Sequence, residues 1–306
     1  MIALSKSVIG LFGGFGWSCI LLFCASAGLG SPVQTDSKTP PPQAPPQEPV
    51  TVLKVKDHIY EIKGGNGANT GFYVGKKEVV VIDAKMTEES AKQMIVEVRK
   101  ITPNPIKRIL LTHSDRDHVN GLTAFPAGVT IVAHEETRRY MDEAFKGDTL
   151  RAFLPDITFA SRATVYEDSA KIELIYFGPA HTSGDAVILF PRDKVAFVGD
   201  LLTVGRDPLI HLSKKGTSFG LVRVLNAILR LDADVFVSGH SDVAGRAEIE
   251  TEIQSVQEKQ ARVKELVDRK KTLDEVKKAF NVQEGGRWPS LYEVIYREMT
   301  EKKASP

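Results

Sequence analysis

A dense cluster of histidine and aspartate side chains lies in the segment LLTHSDRDHVNG. Four candidate metal ligands, His113, Asp115, Asp117 and His118, fall within six consecutive residues. The apolar run IKRILLT before them predicts a short buried strand that delivers the chain to the cluster. In an extended segment, side chains two residues apart point the same way. His113 and Asp115 can therefore serve one metal ion, while Asp117 and His118 turn towards a second.

Three further candidates are separated from this cluster and from one another. They are His181 in GPAHTSGD, Asp200 in FVGDLL and His240 in VSGHSD, each following a predicted strand or lying in a turn beyond one. Ligands brought to strand ends by loops distant in sequence are what a rigid active site requires. Imidazole and carboxylate ligands without sulfur suit zinc, manganese or iron. The pattern predicts a metal site.

The elements that must position these side chains alternate between strand and helix. Val50 begins a strand-like pattern, and the apolar spacing over residues 88–101 predicts a helix. Further strands are predicted at VTIVAH, KIELIYFG, DAVILF, KVAFVGD and ADVFVSG. Helices are predicted at EETRRYMDEAF, at SFGLVRVLNAILRL and over residues 246–271, and Thr272 with Glu275 forms a capping-box pattern. Strands with helices between them in both halves indicate a layered α/β domain.

The order of the motifs resembles the metallo-β-lactamase superfamily, whose signature is His-x-His-x-Asp-His, then a His, an Asp and a His, each after a strand. Residues 51 to about 245 carry every part except one, because Asp115 stands at a histidine position. Asp83 in VVVIDAK also resembles the buried aspartate of the family. The resemblance implies an α/β fold, a four-layer αββα sandwich with a two-metal site at one edge. A C-terminal helical extension follows it.

The resemblance also implies a role for each candidate ligand. Two divalent metal ions are expected as cofactors, with zinc favoured and manganese or iron as alternatives. Asp117 is assigned a catalytic role in addition to metal binding. The implied ligands are His113, Asp115 and His181 for the first metal, Asp117, His118 and His240 for the second, and Asp200 bridging both.

The implied chemistry is hydrolysis by a hydroxide shared between two metals, acting on an ester, lactone, thioester, amide or phosphodiester. No serine or cysteine nucleophile is needed. Asp200 narrows the subgroup, because true β-lactamases of the superfamily commonly have Cys or Ser there. The Asp form resembles hydroxyacylglutathione hydrolases and lactonases, so antibiotic cleavage is a minority alternative.

Asp115 leaves three hypotheses open. It can ligate in a working enzyme with altered metal choice, because a third carboxylate lowers the Lewis acidity of the metals and favours manganese or iron. It can weaken one site, so that the enzyme works with one metal. The chain can also be a binding protein that keeps the fold without catalysis.

The N-terminal residues predict export. Lys6, an uncharged apolar stretch and Ala25-Ser26-Ala27 are typical of a signal peptide over residues 1–27, and a retained membrane anchor is the alternative. Residues 28–49 read as a Pro-rich linker, 50–245 as the catalytic domain and 246–306 as a helical extension packed on it. Cleavage removes both cysteines, and we expect a periplasmic or secreted protein.

Composition restricts the partners. A formal net charge of +1 gives no field that would attract nucleic acid, so a small-molecule substrate is expected. Stable membrane insertion is not expected after cleavage, and the oligomeric state stays open.

Several residues near the motifs have two interpretations each. His211 lies in a loop after the bridging aspartate and either contacts substrate or is structural, with structure favoured. Lys214 either meets an anionic substrate or is a solvated charge, the default. The Gly-rich residues 64–72 predict a mobile hairpin over the site. Trp288 is placed on a C-terminal helix, with packing in the core favoured and a dimer contact or a wall of the site as the alternatives.

Overall fold

The computed structural model describes residues 48–168, 170–283 and 285–301. The predicted signal peptide, residues 1–27, and nearly all of the predicted linker, residues 28–49, lie outside the described residues. Among the residues described, no helix has both the length and the apolar character needed to cross a membrane.

Strands and helices alternate through the described chain. The strands are β1 Thr51–Lys56, β2 Ile59–Lys63, β3 Thr70–Val74, β4 Val79–Ile82, β5 Ile106–Leu110, β6 Thr130–His134, β7 Ile157–Phe159, β8 Arg162–Glu167, β9 Ala170–Tyr176, β10 Ala186–Phe190, β11 Val195–Gly199 and β12 Val235–Ser238. The α-helices are α1 Glu88–Ile101, α2 Arg116–Val119, α3 Glu135–Ala144, α4 Ser218–Ile228, α5 Arg246–Asp268, α6 Leu273–Ala279 and α7 Leu291–Thr300.

The strands form two sheets. The first has the order β1-β2-β3-β4-β5-β6-β7 and the second the order β12-β11-β10-β9-β8. Strands β4 to β7 run parallel to one another, as do β11 and β12, and the remaining neighbours are antiparallel. Parallel neighbours end at the same edge of a sheet, so the loops after β4, β5, β11 and β12 can meet.

Three buried apolar clusters separate four layers. Ile82 and Leu110 of the first sheet face Ile188 of the second across the central cluster. Met94 of α1 lies in the cluster that covers the outer face of the first sheet. Leu225 of α4 lies in the cluster that covers the second sheet. This arrangement of helix, sheet, sheet and helix confirms the predicted αββα sandwich.

Local patterns located most of the elements. The helix predicted over residues 88–101 has those bounds, and Thr272 and Glu275 form the predicted capping box at the start of α6. Strands β7 and β8 were missed. Strand β7 has only three residues, and β8 is an edge strand whose side chains alternate between exposed and partly covered, so it lacks a buried apolar run.

The C-terminal helices are joined to the rest of the domain by apolar and polar contacts. Val256 of α5 belongs to the same buried cluster as Leu225 of α4. Glu252 of α5 accepts a hydrogen bond of 2.7 Å from the backbone N–H of Thr203, in the loop after β11. Glu298 of α7 accepts one of 3.0 Å from the N–H of Ser218 at the start of α4. The extension therefore holds the loop that follows Asp200.

Glu252→Gln should make the protein more stable at pH 8. Burial raises the pKa of Glu252 from 4.5 to about 8. Between these pH values the unfolded chain has lost the proton and the folded chain keeps it, so stability falls as pH rises. Glutamine removes this effect, for a gain of about 1–3 kcal/mol at pH 8 and none at pH 4.

The free energy of unfolding in urea at pH 4, 6 and 8 measures this difference. The exposed Glu250 on the same helix supplies the control variant Glu250→Gln, which should show no such pH dependence. A Glu252→Gln variant no more stable than wild type at pH 8 would contradict the assignment.

Candidate metal centre

The site lies where the carboxyl ends of strands from both sheets meet. Asp83 follows β4, the segment Thr112–His118 follows β5, Asp200 follows β11 and His240 follows β12. His181 lies in the connection between β9 and β10. These strands are almost wholly buried, so the loops at their ends are held by the core.

Four predicted ligands form the first group, which consists of His113, Asp115, His181 and Asp200. One potential ligand atom from each lies within 4.8 Å of all the others. Oδ2 of Asp115 is 3.2 Å from Nε2 of His181 and 3.8 Å from Nε2 of His113. Oδ2 of Asp200 is 3.8 Å from each of the same two nitrogens.

The second group consists of Asp117, His118, Asp200 and His240, and it obeys the same 4.8 Å limit. Nε2 of His240 is 2.9 Å from Oδ2 of Asp117 and 3.3 Å from Oδ2 of Asp200. Nε2 of His118 is 3.1 Å from Oδ1 of Asp200. Asp200 belongs to both groups, so the structure brings all seven predicted residues together in two adjoining sets.

The burial and the chemical type of the donor atoms show whether the two groups can hold metal ions. Nε2 of His113, Nε2 of His118 and Oδ1 of Asp200 are buried and make no well-oriented hydrogen bond within the described part of the chain, although the last two atoms lie 3.1 Å apart. Buried polar atoms without a partner are costly and rare. Their convergence with other imidazole and carboxylate atoms is the donor set expected for zinc, manganese or iron. The residues fit a pair of divalent ions.

Hydrogen bonds behind the groups orient the histidines. Nδ1 of His118 is 2.8 Å from Oδ2 of Asp83. Thr112 donates to the same carboxylate through its N–H at 2.8 Å and its hydroxyl at 2.7 Å. Nδ1 of His181 is 2.7 Å from the carbonyl oxygen of Leu209. These contacts leave Nε2 of each ring facing the group, as outer partners of metal ligands do.

The titrations of the ligands depend on one another. Burial, followed by the neighbouring His118, places the pKa of His113 well below its ordinary value. Burial alone would lower the pKa values of His181 and His240, but Asp115 beside His181 and Asp117 beside His240, with Asp200, raise each of them to about 9. Metal binding would therefore displace protons from these two rings.

The carboxylates remain ionised. Burial by itself would raise the pKa of Asp115, but hydrogen bonds from His181 and His211 bring it well below its usual range. For Asp200, burial acts in the same direction and is outweighed by His118 and His240. The site therefore contains three carboxylate ligands, Asp115, Asp117 and Asp200. The family that the motifs resemble ordinarily has two, because it has a histidine at the position of Asp115.

Asp115 has two partners outside the predicted ligand set. Nε2 of His211 is 2.8 Å from its Oδ2, and Nζ of Lys214 is 2.5 Å from its Oδ1. The expectation that Lys214 is a solvated charge was wrong, because its ammonium is bound to the site. His211 has the structural contact that was favoured. Nearly 100 residues separate these groups from Asp115, and no local pattern reveals such a contact.

The Gly-rich segment, predicted as a mobile hairpin over the site, joins β2 to β3 and is hydrogen-bonded to two loops of the site. The N–H of Ala68 donates to the carbonyl oxygen of Asp117 at 3.1 Å, and the Asn69 amide donates to the carbonyl oxygen of Ser241 at 2.8 Å. The buried ammonium of Lys85 donates to Ala68 at 2.7 Å. These hydrogen bonds fix the segment against the loops that carry Asp117 and His240.

Trp288 lies before α7, which starts at Leu291, so its placement on that helix was wrong. Its side chain is 47% exposed. The indole ring stands perpendicular to the His211 ring, with centroids 4.7 Å apart. Through this contact the C-terminal extension reaches the side of the site that carries Asp115. The exposure of Trp288 contradicts the favoured prediction of core packing, and its contact with His211 agrees with the alternative of a wall of the site.

Comparison with known proteins identifies the family. The sequence profile of the metallo-beta-lactamase superfamily matches residues 64–240. This match covers more than half of the chain, which therefore belongs to the metallo-beta-lactamase superfamily.

The similarity to individual proteins is low in sequence identity and covers only part of the chain. The chain is 27% identical to the 2,4-dinitroanisole O-demethylase subunit alpha of Nocardioides sp. (strain JS1661), over 59% of this chain and 54% of that protein. It is 30% identical to a hydroxyacylglutathione hydrolase of Haemophilus influenzae, over 49% of this chain and 75% of the relative. A metallo-beta-lactamase structure from Pontibacter korlensis has a TM-score of 0.60 at 20% identity, covering 68% of this chain and 99% of that one. The chain thus spans about half the length of the first of these relatives, and the structural likeness establishes the fold.

Asp83→Asn should weaken metal binding at the second group. An amide in place of the carboxylate loses the anionic acceptor for Nδ1 of His118 and no longer holds that ring, so affinity should fall about 10-fold to 100-fold. Isothermal titration of metal-stripped protein with zinc measures the change. Asp156→Asn is the control, because Asp156 accepts a backbone hydrogen bond of 2.8 Å elsewhere in the same sheet. Equal affinities for the Asp83 variant and wild type would refute this role.

Proposed function

We propose that the protein is a metal-dependent hydrolase that uses two divalent ions on a small-molecule ester, lactone, thioester, amide or phosphodiester. The observation that carries this proposal is the convergence of imidazole and carboxylate atoms, several of them buried, in two groups that share Asp200. Zinc is the favoured ion on the basis of the four imidazoles, and manganese or iron are alternatives. Export to the periplasm or beyond is proposed from the N-terminal sequence pattern alone.

The two ligand groups differ in exposure, and this difference suggests a separate role for Asp117. Two ions bound there would supply Lewis acidity and a water of lowered pKa. Asp117 is the most exposed of the three carboxylates, with 27% of its side chain accessible against 13% for Asp115 and 10% for Asp200. We assign it to holding the attacking water by a hydrogen bond and accepting its proton. His240, 32% exposed, lies beside it, so the open side of the site is at the second group.

Asp200 supports a hydrolase of the hydroxyacylglutathione hydrolase and lactonase type over a β-lactamase. The similarity to a hydroxyacylglutathione hydrolase favours the same subgroup. β-Lactam cleavage remains the second candidate, supported by the similarity in fold to a metallo-beta-lactamase. A single-metal or non-catalytic binding protein is the further alternative, because Lys214 and His211 both contact Asp115.

A chelator-sensitive hydrolysis assay tests the proposal. The panel contains chromogenic esters, lactones, thioesters, amides, phosphodiesters and a cephalosporin. At least one non-β-lactam probe should be cleaved, with activity lost after metal stripping and restored by zinc or manganese. Asp117→Asn should lower kcat about 100-fold or more, because it removes the proton acceptor.

The exposed Asp242, two residues after His240 in the same loop but in neither ligand group, provides the control Asp242→Asn, which should keep activity. Protein that contains two ions per chain and hydrolyses none of the probes would overturn the catalytic proposal and leave the binding protein.

A further inference from the structure

The loop that carries Lys214 is built directly on the His181 loop. The N–H of His211 donates to the carbonyl oxygen of His181 at 2.9 Å, and the N–H of Ser183 donates to that of Lys214 at 2.9 Å. A Cβ at Gly216 would collide with the backbone oxygen of His181, so the two loops are in direct contact. The position of Lys214 is thus fixed relative to one of the candidate metal ligands.

The ammonium of Lys214 is held within the site. Besides Oδ1 of Asp115 at 2.5 Å, it donates to the hydroxyl of Ser114 at 3.1 Å. Only 25% of the side chain is exposed. A partly buried ammonium with two partners loses less to solvent competition than an exposed ion pair does.

The two oxygens of Asp115 have different surroundings. Oδ2 faces the first group, 3.2 Å from Nε2 of His181 and 3.8 Å from Nε2 of His113, and it also lies 2.8 Å from Nε2 of His211. Oδ1 is bound by Lys214. A free carboxylate can offer both oxygens to a metal without competition, whereas in Asp115 an ammonium competes with the metal for Oδ1. The Lys214–Asp115 pair has no net charge, and in this respect it is equivalent to a neutral histidine side chain at position 115.

We propose that Lys214 is a positioning residue that makes Asp115 a one-oxygen, charge-compensated ligand and so lets a carboxylate stand where the family has a histidine. This inference rests on the proposed two-metal site. It implies that Lys214 and Asp115 act as a unit at the first group and that Lys214 has no such effect when residue 115 is a histidine.

The expected consequence is a change in metal preference. Lys214→Met frees Oδ1 and leaves the first group with one more oxygen donor and one more uncompensated negative charge. Both changes favour a hard ion of higher coordination number, manganese, over zinc. The ratio of manganese affinity to zinc affinity at the first site should rise about 10-fold or more, the size typical of changes to residues behind a metal ligand.

Competition titrations of metal-stripped protein with zinc and manganese measure this ratio for wild type, Lys214→Met, Asp115→His and the double variant. The site whose affinities change in Asp115→His is the first site. Lys214→Met should raise the ratio in the wild-type background and leave it unchanged in the Asp115→His background. Lys214→Arg, which keeps the charge and the donors, should retain the wild-type ratio. The neighbouring exposed Lys215 supplies the control Lys215→Met, which should also retain it.

The visible spectrum of the cobalt-loaded protein gives an independent readout. A second oxygen from Asp115 raises the coordination number, so the ligand-field absorption should weaken in Lys214→Met and not in the double variant. Circular dichroism checks that each variant folds. If Lys214→Met does not fold, Lys214→Gln replaces it in the competition titration and in the cobalt spectrum. Wild type that binds two ions while the Lys214 variant shows an unchanged ratio and spectrum would overturn this inference alone. Wild type that binds no metal would overturn the proposed function itself.

Discussion

The carboxylate of Asp200 joins the two halves of the site. Its Oδ1 lies 3.1 Å from Nε2 of His118, and its Oδ2 lies 3.3 Å from Nε2 of His240 and 3.8 Å from Nε2 of His113. These rings come from the first sheet and the second sheet, so the contact requires both sheets to end at the same place. Two glycines make this close approach possible. A Cβ at Gly199 would meet the Thr112 side chain, and a Cβ at Gly239 would meet Asp200 and His118.

Burial explains why the site needs ions. The apolar layers that hold the sheets together bury His113, His118 and His181, and Nε2 of His113 makes no hydrogen bond among the described residues. Asp117 and His240 stay partly exposed. Asp115 adds a third carboxylate to this environment. Lys214 offsets its charge, and the indole of Trp288 packs against His211, which also contacts Asp115. The departure from the family motif is therefore accompanied by contacts of Asp115 with one loop, which carries Lys214 and His211, and by packing of a C-terminal residue on that loop.

Local strand and helix patterns predicted a layered α/β domain. The resemblance to a known family, carried by the specific order of the motifs, implied the αββα sandwich and the two groups of candidate ligands. The contacts of Lys214 and Trp288 were not predictable in this way. They depend on the course of irregular loops, which is set by backbone hydrogen bonds such as that from His211 to His181. The contacts of the Gly-rich segment were not predictable for the same reason, since its glycines allow close packing against Asp117 as readily as motion.

The central claim is that two adjoining groups sharing Asp200 each bind a divalent ion. Crystals of metal-supplemented protein, measured at the absorption edge of the added metal, test it most directly. The account predicts two anomalous peaks, one among His113, Asp115 and His181 and one among Asp117, His118 and His240, both in contact with Asp200. A single peak, or none, with all seven side chains ordered would contradict it.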